Sequence, residues 1–230
     1  MAATLLVTGT DTDVGKTYVA CRLIERLRSE GVCVAAFKPA ASGAVDGRWG
    51  DVDALRAASG RTDVCPQTFA APLAPPDAAQ AEAREVDAAA IDAGLAAAGE
   101  DASHLVVEGV GGLLCPLTDA ETVADWAVRH RLPLLVVVSL KLGAISHTLL
   151  TAEVAETRGL PAAFVLNEAA PCDTLTRQST VRSIADRLGD RIVARVQPGG
   201  GLLRFGAADP TMNSPEPASI DRLLCCFEPE

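Results

Sequence analysis

The sequence predicts an α/β fold in which a mostly parallel central sheet is flanked by helices on both faces. Short apolar segments alternate with segments of helical spacing, which is the pattern of βαβ crossovers. The apolar segments are continuous rather than alternating, as expected of strands that are covered on both faces. Because neither an internal repeat nor a long linker interrupts this pattern, we expect residues 1–230 to form a single domain.

The first half of the chain combines short apolar runs, which predict strands, with segments whose apolar residues recur on one helical face. Glycine and proline mark the ends of these segments, as at Gly9, Gly31 and Pro39. Strands are predicted at 4–8 and 32–37, helices at 18–29, 53–59 and 79–98, and surface loops at 38–50 and 65–78.

The second half contains the most apolar segment of the chain, residues 133–139, which predicts a buried strand. The apolar run at this point is far too short to cross a bilayer. Strands are predicted at 105–108, 133–139, 162–167 and 192–196, and helices at 122–130, 145–158, 174–188 and 219–226.

Composition restricts the possible partners. The formal net charge of −10 argues against a nucleic-acid or acidic-membrane surface, which needs clustered lysine and arginine. An anionic ligand therefore requires a local positive site that works against the global field. Seven cysteines, an odd number without a C-x-x-C pair, predict reduced thiols rather than disulfides or a zinc site. Because no signal-peptide pattern is present, we expect a cytoplasmic protein without membrane or nucleic-acid partners.

A phosphate-binding loop is predicted between the first strand and the first helix. Its sequence is Gly9-Thr10-Asp11-Thr12-Asp13-Val14-Gly15-Lys16-Thr17. Backbone N–H groups and the helix N-terminus would bind phosphate, Lys16 would contact the β- and γ-phosphates, and the Thr17 hydroxyl would coordinate Mg²⁺. Five residues separate Gly9 from Gly15, where the usual pattern has four. Strand, loop, Gly-Lys-Thr and helix together predict a P-loop NTPase fold.

Polar side chains follow three further strands, at the sheet edge where ligands bind in open parallel sheets. Glu108 is a candidate Mg²⁺ ligand. Lys38, whose backbone is restricted by Pro39, is either a stabiliser of a transferring phosphoryl group or a surface lysine. Asn167 either contacts the adenine edge or serves as a turn residue. No Asn-Lys-x-Asp sequence is present, which favours ATP over GTP.

Two other segments carry candidate ligands. Asp53 is a candidate for the same metal, although Asp51 is equally acidic and either residue could cap the helix at 53–59. Lys141-Leu142-Gly143-Ala144-Ile145-Ser146-His147 follows a strand and opens a helix, so its N–H groups could bind a carboxylate. For His147 itself, an interior histidine with satisfied hydrogen bonds is the alternative.

These motifs together resemble the dethiobiotin synthetase family. The matching segments are Gly-Thr-Asp-Thr-x-Val-Gly-Lys-Thr at 9–17, Phe-Lys-Pro-x-x-Ser-Gly at 37–43, Val-Glu-Gly-x-Gly-Gly at 107–112 and Lys-Leu-Gly-x-Ile-x-His at 141–147. They occur in the order of the family and span most of residues 4–168. The five-residue spacing of the phosphate loop is itself a feature of this family. The chain departs from the family pattern at Ser146, where asparagine is frequent, and at Phe37, where tyrosine is common.

The resemblance implies an ATP-dependent carboxylation of 7,8-diaminononanoate with CO₂, which closes the ureido ring of dethiobiotin in biotin synthesis. A carbamate forms on the diamine, ATP phosphorylates it, and the second amine displaces phosphate. The resemblance also implies a homodimer, because the substrate carboxylate of the family lies at the helix start after the fourth strand of the partner subunit. The co-substrate would be ATP and the cofactor Mg²⁺.

By position, the resemblance assigns roles to residues of this chain. The catalytic residues would be Lys38, Lys16 and Thr12, and the metal ligands would be Thr17, Asp53 and Glu108. ATP would contact Asp13, Val14, Gly15, Lys16, Thr17, Tyr18, Asp53, Glu108, Gly109, Val110, Gly111, Asn167, Glu168, Gln197, Pro198 and Gly199. The diamine would contact Thr12, Ser42, Gly143, Ala144, Ile145, Ser146 and His147.

Three alternatives share the predicted nucleotide core. A switch ATPase of the ParA/MinD type carries a second lysine near the start of the loop, where this chain has Thr10-Asp11-Thr12. An amidoligase of the cobyrinate type usually adds a glutaminase domain, for which 230 residues leave no room. A nucleotide sensor without enzymatic activity would have a degraded site, whereas Lys16, Lys38 and Glu108 are all present.

Overall fold

The computed structural model describes residues 2–168, 172–197, 200, 202–204 and 227. Its strands are β1 (Ala3–Gly9), β2 (Val34–Phe37), β3 (Ala41–Ser42), β4 (Thr68–Phe69), β5 (His104–Glu108), β6 (Leu134–Ser139), β7 (Ala162–Asn167), β8 (Ile192–Val196) and β9 (Leu202–Arg204). Its helices are α1 (Lys16–Ser29), α2 (Gly50–Ser59), α3 (Pro75–Ala81), α4 (Ala88–Ala98), α5 (Val123–His130), α6 (Ala144–Thr157) and α7 (Thr174–Leu188). Within these ranges, no helix combines the length and the apolar character that a membrane crossing needs.

The central sheet confirms the predicted, mostly parallel arrangement. In the described residues its strand order is β2-β5-β1-β6-β7-β8-β9, and β9 pairs antiparallel with β8. β1 lies inside the sheet between β5 and β6, with Leu6 opposite Val107 of β5 and Leu134 of β6. Because parallel strands end at the same edge, the residues that follow β1, β2, β5 and β7 lie along one edge of the sheet.

Helices cover both faces of the sheet, as predicted. Successive residues of a strand face opposite sides, so Leu5 and Leu6 of β1 belong to two different hydrophobic cores. The core of Leu5 includes Leu23 of α1 and Leu55 of α2, whereas the core of Leu6 includes Trp126 of α5 and side chains of α4, α6 and α7. Each such side chain contributes roughly 1.5–3 kcal/mol when it is fully buried. The carboxyl edge is therefore carried by strands that are packed tightly from both sides.

Three predicted segments differ from the structure. The alanine-rich helix at 79–98 is wrong as a single helix, because α3 ends at Ala81 and Ala83 adopts a positive φ of 52°. α4 then begins at Ala88 and is capped by Asp87, whose carboxylate accepts the N–H of Ala90. The loops predicted at 38–50 and 65–78 contain β3 and β4, which pair with each other in parallel. The helix predicted at 219–226 lies outside the described residues.

Candidate active site

The predicted phosphate-binding loop lies between β1 and α1, at the carboxyl edge of the sheet. β1 ends at Gly9 and α1 begins at Lys16, with Gly15 as the residue before the helix. Gly15 has a φ of 94°, in the left-handed region that favours glycine. Val14 is buried beneath the loop and packs closely against Gly9. The loop therefore presents the N-terminus of a 14-residue helix, which suits a phosphate group.

Asn167 holds this loop from the end of β7, which β6 separates from β1 in the sheet. It is the last residue of β7, it is 1% exposed, and its Nδ2 donates to the Val14 carbonyl at 2.8 Å. The same Nδ2 would be 2.1 Å from a Cβ added at Gly15. Asn167 thus packs against the phosphate loop, and its predicted contact with adenine stays a prediction.

Replacing Gly15 with alanine is expected to destabilise the protein and to weaken nucleotide binding together. The substitution combines backbone strain at a φ of +94° with a collision against Asn167 Nδ2. We expect the free energy of unfolding, measured by urea denaturation, to fall by about 2–4 kcal/mol. ATP titration of the folded variant should show a reduced affinity, because Asn167 must leave the loop to make room.

The matched control for this substitution is Gly31→Ala. Gly31 has a φ of +82°, and nothing lies within 4 Å of an added Cβ. Gly31→Ala therefore introduces backbone strain alone. We expect its free energy of unfolding to fall by about 1–2 kcal/mol and its affinity for ATP to stay unchanged. Equal losses of stability in the two variants would contradict the role of Asn167 in holding the loop.

Lys16 is buried at the start of α1, although it carries a charge. Its side chain Nζ donates to the Asp11 carbonyl at 3.1 Å, and the residue is 8% exposed. Burial lowers the pKa of Lys16, and the nearby ammonium of Lys38 lowers it further. A buried ammonium that is held by a carbonyl and faces a second ammonium is a strong attractor for an anion.

Lys38 forms the centre of a buried ionic network. It follows β2, is 3% exposed, and its Nζ lies 2.9 Å from Glu108 Oε1 and 3.0 Å from Asp51 Oδ2. Burial alone would lower the pKa of Lys38, but the carboxylates of Glu108 and Asp51 outweigh burial and hold that pKa above its ordinary value. Lys38 is therefore a charged group inside the site and not a surface lysine.

Glu108 has the chemistry of a metal ligand. Its Oε1 accepts from the Thr17 hydroxyl at 2.8 Å and from Lys38, whereas Oε2 is buried without a hydrogen-bond partner in the part of the chain that the structure describes. A buried carboxylate oxygen in this state is costly unless a further cation or donor binds it. Thr17 and Glu108 together therefore fit Mg²⁺, which prefers one or two carboxylates plus hydroxyl, water and phosphate oxygens.

These groups line one cavity of about 450 Å³, a size typical of small-molecule sites. Among the predicted site residues, the cavity is lined by Thr12, Asp13, Gly15, Lys16, Thr17, Tyr18, Lys38, Ser42, Glu108, Gly109, Val110 and Gly111. Ser42 donates from its hydroxyl to the Leu73 carbonyl at 2.7 Å. The structure thus brings together the phosphate loop, the segment after β2 and the glycine turn after β5.

Asp51 joins the cavity, and Asp53 does not. Asp51 lies among the cavity-lining residues and contacts Lys38. Asp53 pairs instead with Arg48, whose Nε lies 3.0 Å from Asp53 Oδ2, and with Arg56 at 3.7 Å. Both residues are aspartates on α2, so their different contacts follow from the direction in which each side chain leaves the helix. Within the described ranges, no three histidine, cysteine or acidic side chains lie close enough together to form a metal cluster by themselves.

The residues predicted at the adenine end lie near β7 and β8. Glu168 is 4% exposed and forms ion pairs with Arg195 and, at 3.3 Å, with Arg177. Gln197 follows β8, and its carbonyl accepts the N–H of Gly200 at 2.9 Å. Pro198 and Gly199 lie outside the described residues. The roles of these residues toward ATP stay predictions.

Tyr18 links the segment after β8 to the first turn of α1. Its hydroxyl donates to the Gly200 carbonyl at 2.6 Å. The guanidinium of Arg22 lies 5.4 Å from the centre of the Tyr18 ring. Gly200 therefore lies beside the first turn of α1, which follows the phosphate loop.

The predicted carboxylate-binding segment lies at the start of α6. Gly143 precedes the helix with a φ of 90°, and the first turn, which includes Ala144, Ile145, Ser146 and His147, contains no acidic residue. Leu142 is 89% exposed just before it. Lys141 Nζ lies 3.3 Å from Asp11 Oδ2, which connects this segment to the phosphate loop. The N–H of Thr12 and then Lys141 hold the pKa of Asp11 below its ordinary value.

Comparison with known proteins identifies one matching family model and several similar curated proteins. A family model described as an AAA domain matches residues 3–202. The ATP-dependent dethiobiotin synthetase BioD of Anaeromyxobacter dehalogenans (strain 2CP-C) is 52% identical over 175 residues, which cover 74% of this chain and 78% of that protein. The BioD protein of Anaeromyxobacter sp. (strain Fw109-5) is 41% identical, covering 84% of this chain and 98% of that protein. The BioD 1 protein of Escherichia coli (strain K12) is 40% identical, with coverage of 74% and 80%.

Solved structures share the fold at low sequence identity. Chloroplast FtsY from Physcomitrella patens superposes with a TM-score of 0.53 at 19% identity, covering 97% of this chain and 65% of that chain. FtsY from Mycoplasma mycoides superposes with a TM-score of 0.56 at 15% identity, covering 99% of this chain and 68% of that chain. At this identity the likeness concerns the fold alone. The chain spans about two thirds of the length of these solved chains.

Proposed function

This chain belongs to the ATP-dependent dethiobiotin synthetase family and is an ATP-dependent ligase; from that premise we propose that it converts 7,8-diaminononanoate, CO₂ and ATP into dethiobiotin, ADP and phosphate. The observation that carries this proposal is the pair of buried lysines, Lys16 and Lys38, that face one cavity together with Glu108. Two ammonium groups inside a protein of formal net charge −10 are suited to a phosphorylated substrate.

Lys16 and the phosphate loop bind the triphosphate. The N–H groups at the start of α1 and the left-handed turn at Gly15 surround the position of a phosphate. The ammonium of Lys16 then exchanges its contact with the Asp11 carbonyl for phosphate oxygens. Because burial already disfavours the charge of Lys16, binding of an anion relieves an existing cost.

Lys38 stabilises the charge that develops between the carbamate and the transferring phosphoryl group. Its Nζ lies between Glu108 and Asp51, and Lys38 lines the same cavity as the phosphate loop. Phosphoryl transfer requires mainly positioning and charge stabilisation, which a fixed ammonium supplies without reorganisation. Thr12 and Ser42 line the same cavity and would contact the carbamate or the diamine.

Thr17 and Glu108 would hold Mg²⁺ beside the phosphate loop, and Asp53 stays a predicted third ligand. When bound, the ion neutralises charge on the phosphate oxygens. The unsatisfied Oε2 of Glu108 supports this assignment, since it offers a buried acceptor at the carboxyl end of β5.

The covalent steps balance without any further reactant. One amine of the substrate adds to CO₂ and releases a proton, which gives a carbamate. A carbamate oxygen takes the γ-phosphoryl group of ATP and leaves ADP. The second amine then attacks the carbonyl carbon, expels phosphate and loses a proton, which closes the ureido ring. The site needs no nucleophilic side chain for these steps, and the lysines, hydroxyls and carboxylates that line it are consistent with that requirement.

The proposal includes a homodimer with the diamine at the interface. In this arrangement the start of α6 in one subunit binds the substrate carboxylate of the other. The absence of acidic residues from the first turn of α6 and the exposure of Leu142 support this geometry.

An assay with diaminononanoate, bicarbonate and Mg-ATP tests the proposed reaction. Phosphate release and dethiobiotin formation are followed together, with each substrate omitted in turn. We expect one phosphate for each dethiobiotin and no release without the diamine. Phosphate release that does not depend on the diamine would contradict the proposal and favour a switch ATPase.

A further inference from the structure

We propose that a groove between β2, α4 and the end of α2 is a second binding site, and that its ligand is dethiobiotin, the product of the proposed reaction. The inference rests on the proposed function, because that function supplies the ligand. This α4 groove has a volume of about 580 Å³, which suits a small molecule. No described residue lines both the groove and the cavity of the phosphate loop. The residues that the argument uses are Ala36, Phe37, Arg56, Arg61, Gly94 and Ala97.

The floor of the α4 groove offers one backbone donor and one backbone acceptor. β2 is the outermost strand of the described sheet, and the Cys33 carbonyl accepts the N–H of His104 in β5 at 3.1 Å. Backbone groups alternate in direction along a strand, so the N–H and C=O of Ala36 point away from β5. The N–H of Lys38 points the same way and donates to the Val64 carbonyl at 2.7 Å. Ala36 has no such bond to any described residue on that side, although it is 2% exposed. Buried backbone groups in this state favour a ligand that supplies an acceptor and a donor together.

Apolar groups form the wall beside this floor. The Phe37 ring and the small residues Gly94, Ala97 and Ala98 of α4 line it. A Cβ added at Gly94 would lie 2.8 Å from Phe37 Cε2, so α4 and the ring are in close contact there. An aliphatic chain that covers these groups gains roughly 25 cal/mol for each Å² of apolar surface that it removes from water.

Two guanidinium groups also line the α4 groove, and both are held by backbone carbonyls. Arg61 Nη2 donates to the Asp101 carbonyl at 3.1 Å, and Arg56 Nε donates to the Thr62 carbonyl at 2.9 Å. Among the described residues, no carboxylate lies within 4.0 Å of the Arg61 guanidinium, and Arg56 has only Asp53, at 3.7 Å. In a protein of formal net charge −10, two arginines without close acidic partners favour an anion.

These three features together select the chemical class of the ligand. The two arginines outnumber the one carboxylate among the lining side chains, that of Asp63, so the groove carries a net positive charge. Dethiobiotin has a carboxylate on an aliphatic chain, and its ureido ring places N–H groups next to a carbonyl. Its carboxylate matches Arg56 and Arg61. Its chain covers the Phe37 wall, and its ring pairs with the N–H and C=O of Ala36.

The α4 groove lies behind the proposed catalytic lysine. Phe37 immediately precedes Lys38 in the chain. Val64, whose carbonyl accepts the Lys38 N–H, is followed by two residues that line the groove, Cys65 and Pro66. Product held in the groove therefore contacts both of the backbone segments that position Lys38, without entering the cavity in which the reaction takes place.

Isothermal titration of the full-length protein with dethiobiotin tests the site without turnover. Any binding in the cavity of the phosphate loop is common to all variants, so their comparison isolates the groove. Arg61→Glu reverses one charge of the groove, and we expect the dissociation constant of the groove to rise by about tenfold or more. The control is Arg187→Glu, because Arg187 also donates to a backbone carbonyl on the surface but does not line the groove. Equal isotherms for the wild type and Arg61→Glu would overturn the proposal.

A second pair of variants tests the space of the groove instead of its charge. Ala97 is exposed on α4 and lines the groove, whereas Ala89 is exposed on the same helix outside it. We expect Ala97→Trp to weaken binding of dethiobiotin in the groove by about tenfold and Ala89→Trp to leave it unchanged. Circular dichroism checks that both variants fold. If the two folded variants bind dethiobiotin equally well, the ligand does not occupy the groove.

Two analogues divide the chemistry of the ligand. Octanoate keeps an aliphatic chain and a carboxylate but lacks the ureido ring, and the methyl ester of dethiobiotin keeps the ring but lacks the charge. We expect each to bind the groove about tenfold more weakly than dethiobiotin. Octanoate that binds as tightly as dethiobiotin would overturn the assignment of the product as the ligand. If the wild type makes no dethiobiotin in the assay, the proposed function fails, while these titrations still decide whether the groove binds that molecule.

Discussion

Replacing Lys16 with alanine is expected to remove most ATP-dependent turnover, on the order of a hundred- to a thousandfold. Lys16 is the cation at the start of α1, and no other lysine or arginine lines the cavity apart from Lys38 among the described residues. The variant should lose affinity for ATP as well as rate, because the same ammonium acts in the bound state and in the transition state. Isothermal titration with ATP and the dethiobiotin assay measure the two effects separately.

The same substitution should not lower the stability of the ligand-free protein. Burial and Lys38 both lower the pKa of Lys16, which means that the charged form costs free energy in the folded state. Removing that charge is therefore expected to leave the free energy of unfolding unchanged or slightly raised. Arg26→Ala on the same helix, whose guanidinium pairs with Glu30 on the surface, serves as the control with normal turnover. Normal product formation by Lys16→Ala would remove the phosphate-loop assignment.

Replacing Lys38 with alanine is expected to separate binding from chemistry. The variant should still bind ATP, since the phosphate loop and Lys16 remain, but kcat should fall on the order of a hundredfold or more. The change leaves two carboxylates, those of Glu108 and Asp51, without the cation between them. Breaking a buried ion pair on one side typically costs about 3–5 kcal/mol, so urea denaturation should also report a large loss of stability.

Lys38→Arg is the companion variant for this test. It retains the positive charge and therefore should restore stability more than turnover, because the guanidinium differs in shape from an ammonium fixed between two carboxylates. Turnover of Lys38→Ala at the wild-type rate would rule out a catalytic role for this lysine.

The phosphate loop was predictable because its chemistry is local. Gly15, Lys16 and Thr17 are adjacent in the chain, and the flanking strand and helix are visible as apolar patterns. The parallel sheet was predictable for a similar reason, since each buried strand is a continuous apolar run that glycine, lysine or glutamate ends. The structure confirms that these strand ends meet at one edge.

The contacts around Lys38 could not be predicted, because they join residues far apart in the chain. Lys38 and Glu108 are 70 positions apart, and only the order of the sheet shows that β2 and β5 are neighbours. The contact of Asp51 with Lys38 is equally non-local, and α2, which carries Asp51, begins at Gly50 rather than at the predicted residue 53. The break between α3 and α4 could not be predicted, because alanine, which has a high helix propensity, is abundant on both sides of it.

The bond from Asn167 to the Val14 carbonyl joins groups 153 positions apart, so the shape of the phosphate loop belongs to the folded sheet as a whole. The entropy of ordering that turn is therefore lost once, when β7 enters the sheet, and an arriving triphosphate meets a rigid receptor. Encounter would then be limited by diffusion and charge more than by rearrangement. A mutational scan confined to the nine-residue motif would miss one of the parts on which its shape depends.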